Sequence, residues 1–329
     1  MKRIAALLRR RLVGAVPVLF IVIAFAFLLL ESAPGDAVDA YLVSVGGGDA
    51  TLAANLRAQY GLDQSTLSRL WLYLAALTHF DLGWSVAFDR PVLSLIAERL
   101  PTTLVLMGSA TALSFGLGSW AGVIAGARPG SLRDRFLSTT ALALYAIPGF
   151  WLALVLVIVF AVELRWLPFS GFETIASGKS GLARLGDIAR HMVLPVVSLS
   201  LIYLALYLRV MRAAMGEVWR QDFILFARAK GLSARRILWR HVARNALLPL
   251  ITVLGLQSAA MLGGSIIIES VFAIPGFGRL AQEAVAGRDA PLLVGLILVS
   301  ALFVLAINLV VDLLYAWLDP RVGSVEKNR

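Results

Sequence analysis

Residues 245–268 read NALLPLITVLGLQSAAMLGGSIII and contain no charged side chain. An α-helix advances about 1.5 Å per residue, so about 20 apolar residues cross a hydrocarbon core about 30 Å thick. Backbone N–H and C=O groups find no water in that core and must bond to each other within the segment, as they do in a helix. This run therefore predicts a membrane-spanning helix.

Five more uncharged runs lie on either side of it. They are Leu12–Leu30, Leu100–Ala127, Phe136–Val162, His191–Leu208 and Ala290–Val311. The chain of 329 residues is 59% hydrophobic and 15% charged, whereas soluble domains have about 45–50% apolar and about 25% charged residues. The sequence thus predicts an all-α polytopic membrane protein with six transmembrane helices, of which His191–Leu208 is the shortest.

The distribution of lysine and arginine predicts how these helices are oriented. With the N-terminus inside, 20 of the 30 basic residues fall in the inner segments, in agreement with the positive-inside rule. We therefore expect both termini in the cytoplasm. Residues 1–30 form an inner segment and an uncleaved first helix, residues 31–99 lie outside, residues 100–323 form the transmembrane core, and residues 324–329 form a cytoplasmic tail. The same distribution explains the net charge of +10 without nucleic-acid binding.

The external segment contains one helical pattern. Residues 65–74 repeat apolar side chains at helical spacing, and Asp63 or Ser65 can cap them. Two interpretations stand side by side: an ordinary amphipathic surface helix, or a helix that docks a partner.

A stripe of small residues marks the second run at every fourth position. Its members are Ser114, Gly118, Gly122 and Gly126. Residues four apart share one face of a helix, and small side chains let a second helix approach closely. We interpret the stripe as a helix-packing surface and not as a ligand site.

The sequence shows no chemistry that would drive transport from within the chain. It has no cysteine, and its three histidines, His79, His191 and His241, have no second ligand at metal-binding spacing. We therefore expect neither a metal nor a cofactor. A proton-coupled carrier would need an ionisable group at mid-membrane depth, and none is found in the uncharged runs. The energy comes from another protein, or the chain is a passive or mechanosensitive channel. An intramembrane enzyme would need a catalytic constellation, which the sequence does not offer.

The longest inner loop, residues 209–244, is rich in arginine. Gly231 follows a helix-forming stretch and suits a left-handed turn, and Ser233 can cap a second helix after it. The pattern predicts two short helices that meet at Gly231. A soluble partner could dock on them, or the basic loop could rest on anionic lipid headgroups.

An ordered set of short motifs extends along the chain: residues 80–85 (FDLGWS), 91–92 (PV), 99–104 (RLPTTL), 227–233 (ARAKGLS), 240–241 (RH), 244–249 (RNALLP), 269–278 (ESVFAIPGFG), 288–289 (RD), 308–312 (NLVVD) and 319–321 (DPR). In this order they resemble the ABC importer permeases of the dipeptide and oligopeptide type, in particular the subunit encoded first in such systems. One departure is visible: residues 225–227 read Leu-Phe-Ala where such importers generally have Glu-Ala-Ala.

This resemblance implies a type I importer bundle with a cytoplasmic coupling helix in a bacterial or archaeal cytoplasmic membrane. It implies a second homologous permease subunit, two cytoplasmic ABC ATPases and an external substrate-binding protein as partners, besides membrane lipid. The expected ATPase-coupling residues are Ala227, Arg228, Ala229, Lys230, Gly231, Leu232, Ser233, Arg235 and Arg236. Polar residues in the spans that could line a translocation path, or could equally bond between helices, are Ser198, Ser200, Tyr203, Tyr207 and Gln257. Relatives of this type carry dipeptides, oligopeptides, glutathione, nickel chelates or sugars, and the sequence does not decide between these.

Overall fold

The computed structural model describes residues 2–32, 35–44, 47, 50–59 and 61–318. Five helices in these ranges are long and apolar enough to cross a membrane: Val13–Glu31, Val92–Ala127, Gly181–Trp219, Ala234–Val271 and Ala290–Tyr315. A bent pair, Leu132–Ala146 with Gly149–Glu163, makes a sixth span when it is counted as one. At that count, the prediction of six transmembrane segments is confirmed.

In chain order the elements are α1 (Lys2–Glu31), α2 (Ala37–Ser44), α3 (Ala50–Gln59), α4 (Thr66–Leu77), β1 (Trp84–Ser85), β2 (Arg90–Pro91), α5 (Val92–Ala127), α6 (Leu132–Ala146), α7 (Gly149–Val157), a first π-helical segment (Ile158–Glu163), α8 (Gly181–Trp219), α9 (Asp222–Ala229), α10 (Ala234–Arg236), a second π-helical segment (Ile237–Ala243), α11 (Arg244–Val271), α12 (Phe277–Ala286) and α13 (Ala290–Leu318). The two strands pair antiparallel. The described residues form two compact units, one within the ranges 2–103 and 275–306 and one within the ranges 104–274 and 307–318.

The core of the first unit is a leucine-rich cluster contributed by the hairpin region, the start of α5, α12 and the start of α13. Its buried members are Leu82, Val92, Leu95, Ile96, Phe277, Leu280, Ala284, Leu292, Leu293 and Leu296.

Asp289 fixes the hairpin beside this cluster. Its buried carboxylate accepts hydrogen bonds from Ser85 Oγ (2.6 Å) and from the backbone N–H groups of Ala87 (3.0 Å) and Leu292 (3.1 Å). A carboxylate removed from water needs such donors. The bond from Leu292 also caps the first turn of α13. Two segments that carry the family resemblance, 80–85 and 288–289, therefore meet in space.

The helix predicted from residues 65–74 is confirmed as α4, and Ser65 is its cap. Ser65 Oγ accepts a hydrogen bond from the backbone N–H of Ser68 at 3.4 Å.

In the second unit, α6, α7 and α11 pack against α8, and the small-residue stripe of α5 does so too. A Cβ added at Gly118, Gly122 or Gly126 would lie 2.8, 2.5 or 2.9 Å from a Cβ of α8, in Tyr207, Met211 and Met215 respectively. Such distances leave no room for a methyl group. Because the residue numbers of both helices rise together along the contact, α5 and α8 run parallel.

Two spans differ from the prediction made for them. The third is not one straight helix from residue 136 to 162, because α6 and the segment from Gly149 meet at an angle of 98°. The break lies at Ile147, which has an extended backbone with ψ of 128°; the ring of the following Pro148 disfavours helical geometry at the preceding residue. The fourth span, α8, has 39 residues and is the longest helix described, not the shortest. The length of the charge-free run underestimated the length of this helix, because the helix continues through turns with charged residues at both ends.

The segment 319–321 and the predicted tail 324–329 lie outside the described residues.

Candidate functional site

The turn around Gly231 has the geometry that the sequence predicts. Gly231 has φ of +72°, which is the left-handed region that favours glycine. Its N–H donates to the carbonyl of Arg228 at 2.9 Å, and the N–H of Leu232 donates to the carbonyl of Ala227 at 3.3 Å. These two bonds form a Schellman motif, which ends α9 by satisfying carbonyls that have no partner within the helix.

The next helix begins two residues after this turn. Ser233 Oγ accepts a hydrogen bond from the backbone N–H of Arg236 at 3.4 Å, and it is the N-cap of α10 as expected. From Ala234 the chain stays helical to Val271. The predicted second short helix is therefore the first turn of a membrane-spanning helix, and the connection between α8 and α11 is shorter than the predicted loop 209–244.

One face of α9 is buried and the other is exposed. Ile224 and Ala227 are buried, and α9 contacts the second π-helical segment. By contrast, Leu225 and Phe226 are 68% and 66% exposed, and Phe223 is exposed as well. The sequence-predicted residues divide accordingly: Ala227 faces inward and Leu232 is half-buried, while Arg228, Ala229, Lys230 and Gly231 are exposed.

Leu225 and Phe226 were not among the ATPase-coupling residues predicted from the sequence, although both are exposed next to the basic turn. The departure from the Glu-Ala of the family pattern at these two positions could have indicated them.

Trp219 links the last turn of α9 to two membrane helices, α5 and α8. Its indole Nε1–H donates to the carbonyl of Gly126 at the end of α5, at 3.0 Å. The guanidinium of Arg228 lies over the Trp219 ring, 5.4 Å from its centroid, which is within the range of a cation–π interaction. The turn is thus connected to the last residues of α5 and α8.

An ion pair with a buried carboxylate joins the start of α6 to α8. Asp134 accepts hydrogen bonds from two nitrogens of Arg212, from the N–H of Gly130 at 2.8 Å and from Ser138 Oγ at 3.1 Å. The side chain of Asp134 is 2% exposed and that of Arg212 is 43% exposed. Ser131 caps α6 through the N–H of Asp134 at 3.3 Å, so the pattern Ser-x-x-Asp was a signal for this site.

Beyond the turn, Ser233, Arg235, Arg236 and Trp239 line an open cleft of about 490 Å³. Arg235 and Arg236 are exposed. Two guanidinium groups beside an indole can bind carboxylates of a partner and pack on its apolar side chains. The residues that line the cleft follow α9 closely in the sequence.

The two serines named for a translocation path are buried in α8. Ser198 Oγ donates to the carbonyl of Leu194 at 2.7 Å, and Ser200 Oγ donates to the carbonyl of Val197 at 3.0 Å. Both hydroxyls are thus bound to the backbone of their own helix in this conformation.

Two of the other three residues named for a path, Tyr203 and Tyr207, lie where α8 meets its neighbours. Tyr207 is fully buried with its ring edge-on to Phe115, centroids 5.4 Å apart, and its hydroxyl has no hydrogen-bond partner among the described residues. A Cβ added at Gly264 of α11 would lie 3.0 Å from the hydroxyl of Tyr203, so that hydroxyl reaches α11. Gln257 of α11 is half-buried.

Among the described residues, no three His, Cys, Asp or Glu side chains are grouped so that they could hold a metal ion.

The chain belongs to the family of binding-protein-dependent transport system inner membrane components. That family matches residues 118–324, and the N-terminal region of the same membrane components matches residues 4–107. The chain is therefore the membrane-spanning permease subunit of an ABC importer, and this membership decides against the channel interpretation.

Curated relatives cover nearly the whole chain. A peptide transport system permease protein of Brucella abortus is 38% identical over 96% of this chain and 98% of its own length. A peptide ABC transporter permease protein of Sinorhizobium fredii is 37% identical over 95% and 97%. The glutathione transport system permease protein GsiC of Escherichia coli O6:H1 is also 37% identical, over 95% and 97%.

The fold is similar to that of a solved structure of the MetNI methionine ABC transporter in an inward-facing conformation. The TM-score is 0.55 at 18% identity, and the match covers 69% of this chain and 97% of that one. At this identity the likeness shows the fold alone: the bundle is that of an ABC importer permease.

Proposed function

We propose that α9 and the turn after it bind a cytoplasmic ATPase subunit and transmit its movement to the membrane helices. The observation that carries this is the exposure of Leu225 and Phe226, 68% and 66%, beside the basic residues Arg228 and Lys230. Apolar patches with a charged rim typically mark protein interaction sites. Besides Leu225 and Phe226, the surface consists of Arg228, Ala229, Lys230, Gly231, Ser233, Arg235 and Arg236, and Ala227 and Leu232 support it from within.

The anchors of α9 support a mechanical role for this surface. A force on α9 acts on Trp219 through Arg228, and Trp219 is bonded to the carbonyl of Gly126. Movement at the turn therefore reaches the ends of α5 and α8 together. Such a coupled shift of packed helices is one way in which nucleotide binding can move a permease between two states.

To test ATPase docking, one exposed apolar side chain on α9 is replaced by alanine, and an exposed apolar side chain far from α9 is replaced in the same way as a control. Phe226→Ala removes a ring proposed to insert into the ATPase, whereas Leu182→Ala removes a side chain that is 86% exposed at the opposite end of α8. A central interface anchor contributes about 2 kcal/mol or more, which is about 30-fold in affinity. We expect Phe226→Ala to lose the ATPase during purification of the complex and Leu182→Ala to retain it. Equal retention by both variants would refute the docking proposal.

We propose that the complete importer contains a second, homologous permease subunit, two ATPases and an external binding protein, and that both termini of this chain lie in the cytoplasm. The chain itself is then the non-catalytic part. The family description, a binding-protein-dependent transport component, supports an external binding protein, and the excess of basic residues in the inner segments supports the orientation. The mass of the purified complex, with one copy of each permease and two ATPases, tests the assembly. A complex with two copies of this chain would contradict it.

We propose peptides as the cargo. The relatives from Brucella abortus and Sinorhizobium fredii are named for peptide transport, and the one from Escherichia coli for transport of glutathione, which is itself a short peptide. A strain that lacks the chain should lose uptake of labelled di- and oligopeptides, and uptake should return with the restored chain. Unchanged peptide uptake together with a lost uptake of another solute class would overturn this assignment.

For the translocation path we propose the polar side chains on α8 and α11: Ser198, Ser200, Tyr203, Tyr207 and Gln257. The buried Tyr207 hydroxyl, which has no hydrogen-bond partner among the described residues, supports this, because an unsatisfied buried hydroxyl costs about 1–3 kcal/mol and can gain a partner when the helices separate. The chain has no cysteine, so single cysteines can be introduced without background. Labelling of Ser198→Cys by an aqueous reagent that depends on the nucleotide state supports the path; protection in every state rejects it.

A further inference from the structure

Helix α4 is apolar on every side beyond its first turn. Residues 70–77 read LWLYLAAL, so no face of this part is polar. A helix that is hydrophobic all round is expected to be buried. In this chain, however, none of the α4 residues is buried. The exposed part of this apolar surface is thus not covered by any of the described residues.

The polar first turn of α4 is tied to the end of α1. Arg69 Nη1 donates to Glu31 Oε1 at 2.6 Å, and the two side chains are 16% and 26% exposed. Thr66 Oγ1 donates to the same oxygen at 3.5 Å. Glu31 is the first charged residue after the apolar run of α1, so this turn of α4 lies at the boundary of the membrane.

From that boundary α4 follows the membrane-spanning part of α1. The Tyr73 ring is 6.3 Å from the ring of Phe27, which lies one helical turn before Glu31. Leu70, Tyr73, Leu74 and Leu77 pack against the cluster that contains Ile23 and Phe27. Ile23 is two turns before Glu31, or about 12 Å of helix rise. The inner side of α4 thus contacts residues of α1 that lie within the hydrocarbon region.

The outer side of α4 presents only apolar side chains beyond the first turn. Trp71 and Leu72 are 72% and 53% exposed, and Ala75 is exposed as well. In the first turn Leu67 is 74% exposed, next to the exposed Ser68. Phe25 of α1 is 67% exposed and lies in a span that is long and apolar enough to cross a membrane. The outer face of α4 thus belongs to a helix that packs on this span.

We propose that α4 is an interfacial helix embedded in the outer leaflet, with Leu67, Trp71, Leu72 and Ala75 inserted among the lipid chains. Thr66 and Arg69 bond to Glu31 of α1, the exposed Ser68 bonds to Gln64, and no charged residue follows until Asp81. Apolar side chains of a helix at a membrane surface enter about 5–10 Å into the boundary between headgroups and acyl chains. The helix therefore belongs to the membrane and not to the aqueous external segment.

The test places a nitroxide spin label on single cysteines in the complete importer reconstituted in phosphatidylcholine liposomes. Ala75→Cys is the main variant because it adds little volume. Asp63→Cys, on an exposed residue before the helix, is the aqueous reference, and Phe25→Cys on α1 is the lipid reference. Oxygen, which concentrates in lipid, and a water-soluble nickel chelate are the two relaxing agents.

In the lipid-embedded state, the label at Ala75→Cys is expected to match the oxygen accessibility of Phe25→Cys. Its nickel accessibility should be on the order of ten-fold below that of Asp63→Cys, because water is excluded at this depth. High nickel accessibility at Ala75→Cys would show a water-exposed surface helix and overturn the proposal. Low accessibility to both agents would show a protein partner on this face and would overturn it as well.

A second variant and the references keep the result unambiguous. Trp71→Cys reports from the same face, so a local distortion at one site does not decide the outcome. A nickel-accessible label at Phe25→Cys would remove the premise that α1 faces lipid and would also overturn the proposal. None of these results depends on ATPase docking at α9, which is measured separately by co-purification.

Discussion

The packing of α5 on α8 leads to a sharp prediction for Gly122→Ala. The added Cβ would lie 2.5 Å from Met211 Cβ and 2.9 Å from the carbonyl oxygen of Leu208. Carbon atoms in ordinary contact are about 3.5–4.0 Å apart. A rotamer change cannot relieve this overlap, because Cβ and the carbonyl oxygen move only with the backbone. The two helices must separate instead.

Gly116→Ala in the same helix is the matched control. Gly116 is exposed, and an added Cβ meets no atom within 4 Å. Both substitutions gain the same helix propensity of about 1 kcal/mol, so this contribution cancels when they are compared. What remains is the cost of overpacking, about 1–3 kcal/mol. Gly122→Ala should therefore be about 5- to 150-fold less favourable in the folding equilibrium than Gly116→Ala.

The measurement is reversible unfolding of the purified chain in mixed micelles with increasing SDS, followed by the fluorescence of its tryptophans. Gly116→Ala should unfold at the wild-type midpoint or above it, and Gly122→Ala clearly below Gly116→Ala. Equal midpoints for the two variants would refute the close contact between α5 and α8. A lower midpoint for both would show instead that α5 needs flexible residues and not a small surface.

Three further substitutions test the turn and the ion pair. A Cβ added at Gly231 has no atom within 4 Å, so Gly231→Ala should lower the unfolding free energy only by the left-handed backbone strain of about 1–2 kcal/mol. A Gly231→Val variant that inserts normally should transport less substrate per ATP hydrolysed, and a normal ratio would contradict a coupling role for the turn. Ser233→Ala should lower the unfolding free energy by about 1 kcal/mol through loss of the N-cap, while Ser233→Asp, which can accept the same bond, should restore it; equal stability of the two would rule out the cap. Asp134→Asn weakens the bonds from Arg212 to a side chain that is 2% exposed and should destabilise by about 1–3 kcal/mol. Ser138→Ala removes one neutral donor to the same carboxylate and should lower the unfolding free energy by about 1 kcal/mol or less. If thermal unfolding shows a larger loss of stability for Ser138→Ala than for Asp134→Asn, the ion pair is not the dominant contact.

Local signals predicted the turn well because its geometry depends on neighbouring residues. The left-handed Gly231 and the cap at Ser233 follow from residue type and position, and both are confirmed. The same holds for α4 and its cap at Ser65. The orientation of Ala227 could not be predicted, because which face of a short helix is buried depends on the segment that packs against it.

The span boundaries were less predictable. Uncharged runs mark the part of a helix within lipid, but a helix continues as long as its backbone bonds do, and α8 extends through charged turns to Trp219. The bend after α6 was also missed. Pro148 disfavours a continuous helix there, but the angle of 98° depends on how α6 and α7 pack against α8.

The membrane class, six spans when the bent pair counts as one, the family and the turn at Gly231 could all be predicted from the sequence, because apolar run length, local backbone preferences and the order of motifs are properties of the chain order. The three-dimensional structure was needed to show that the small-residue stripe of α5 meets Tyr207, Met211 and Met215, that Asp289 holds Ser85, and that Leu225 and Phe226 stay exposed. Each of these depends on which residues distant in the chain approach each other. That choice is made by the packing of whole helices, and no local pattern specifies it.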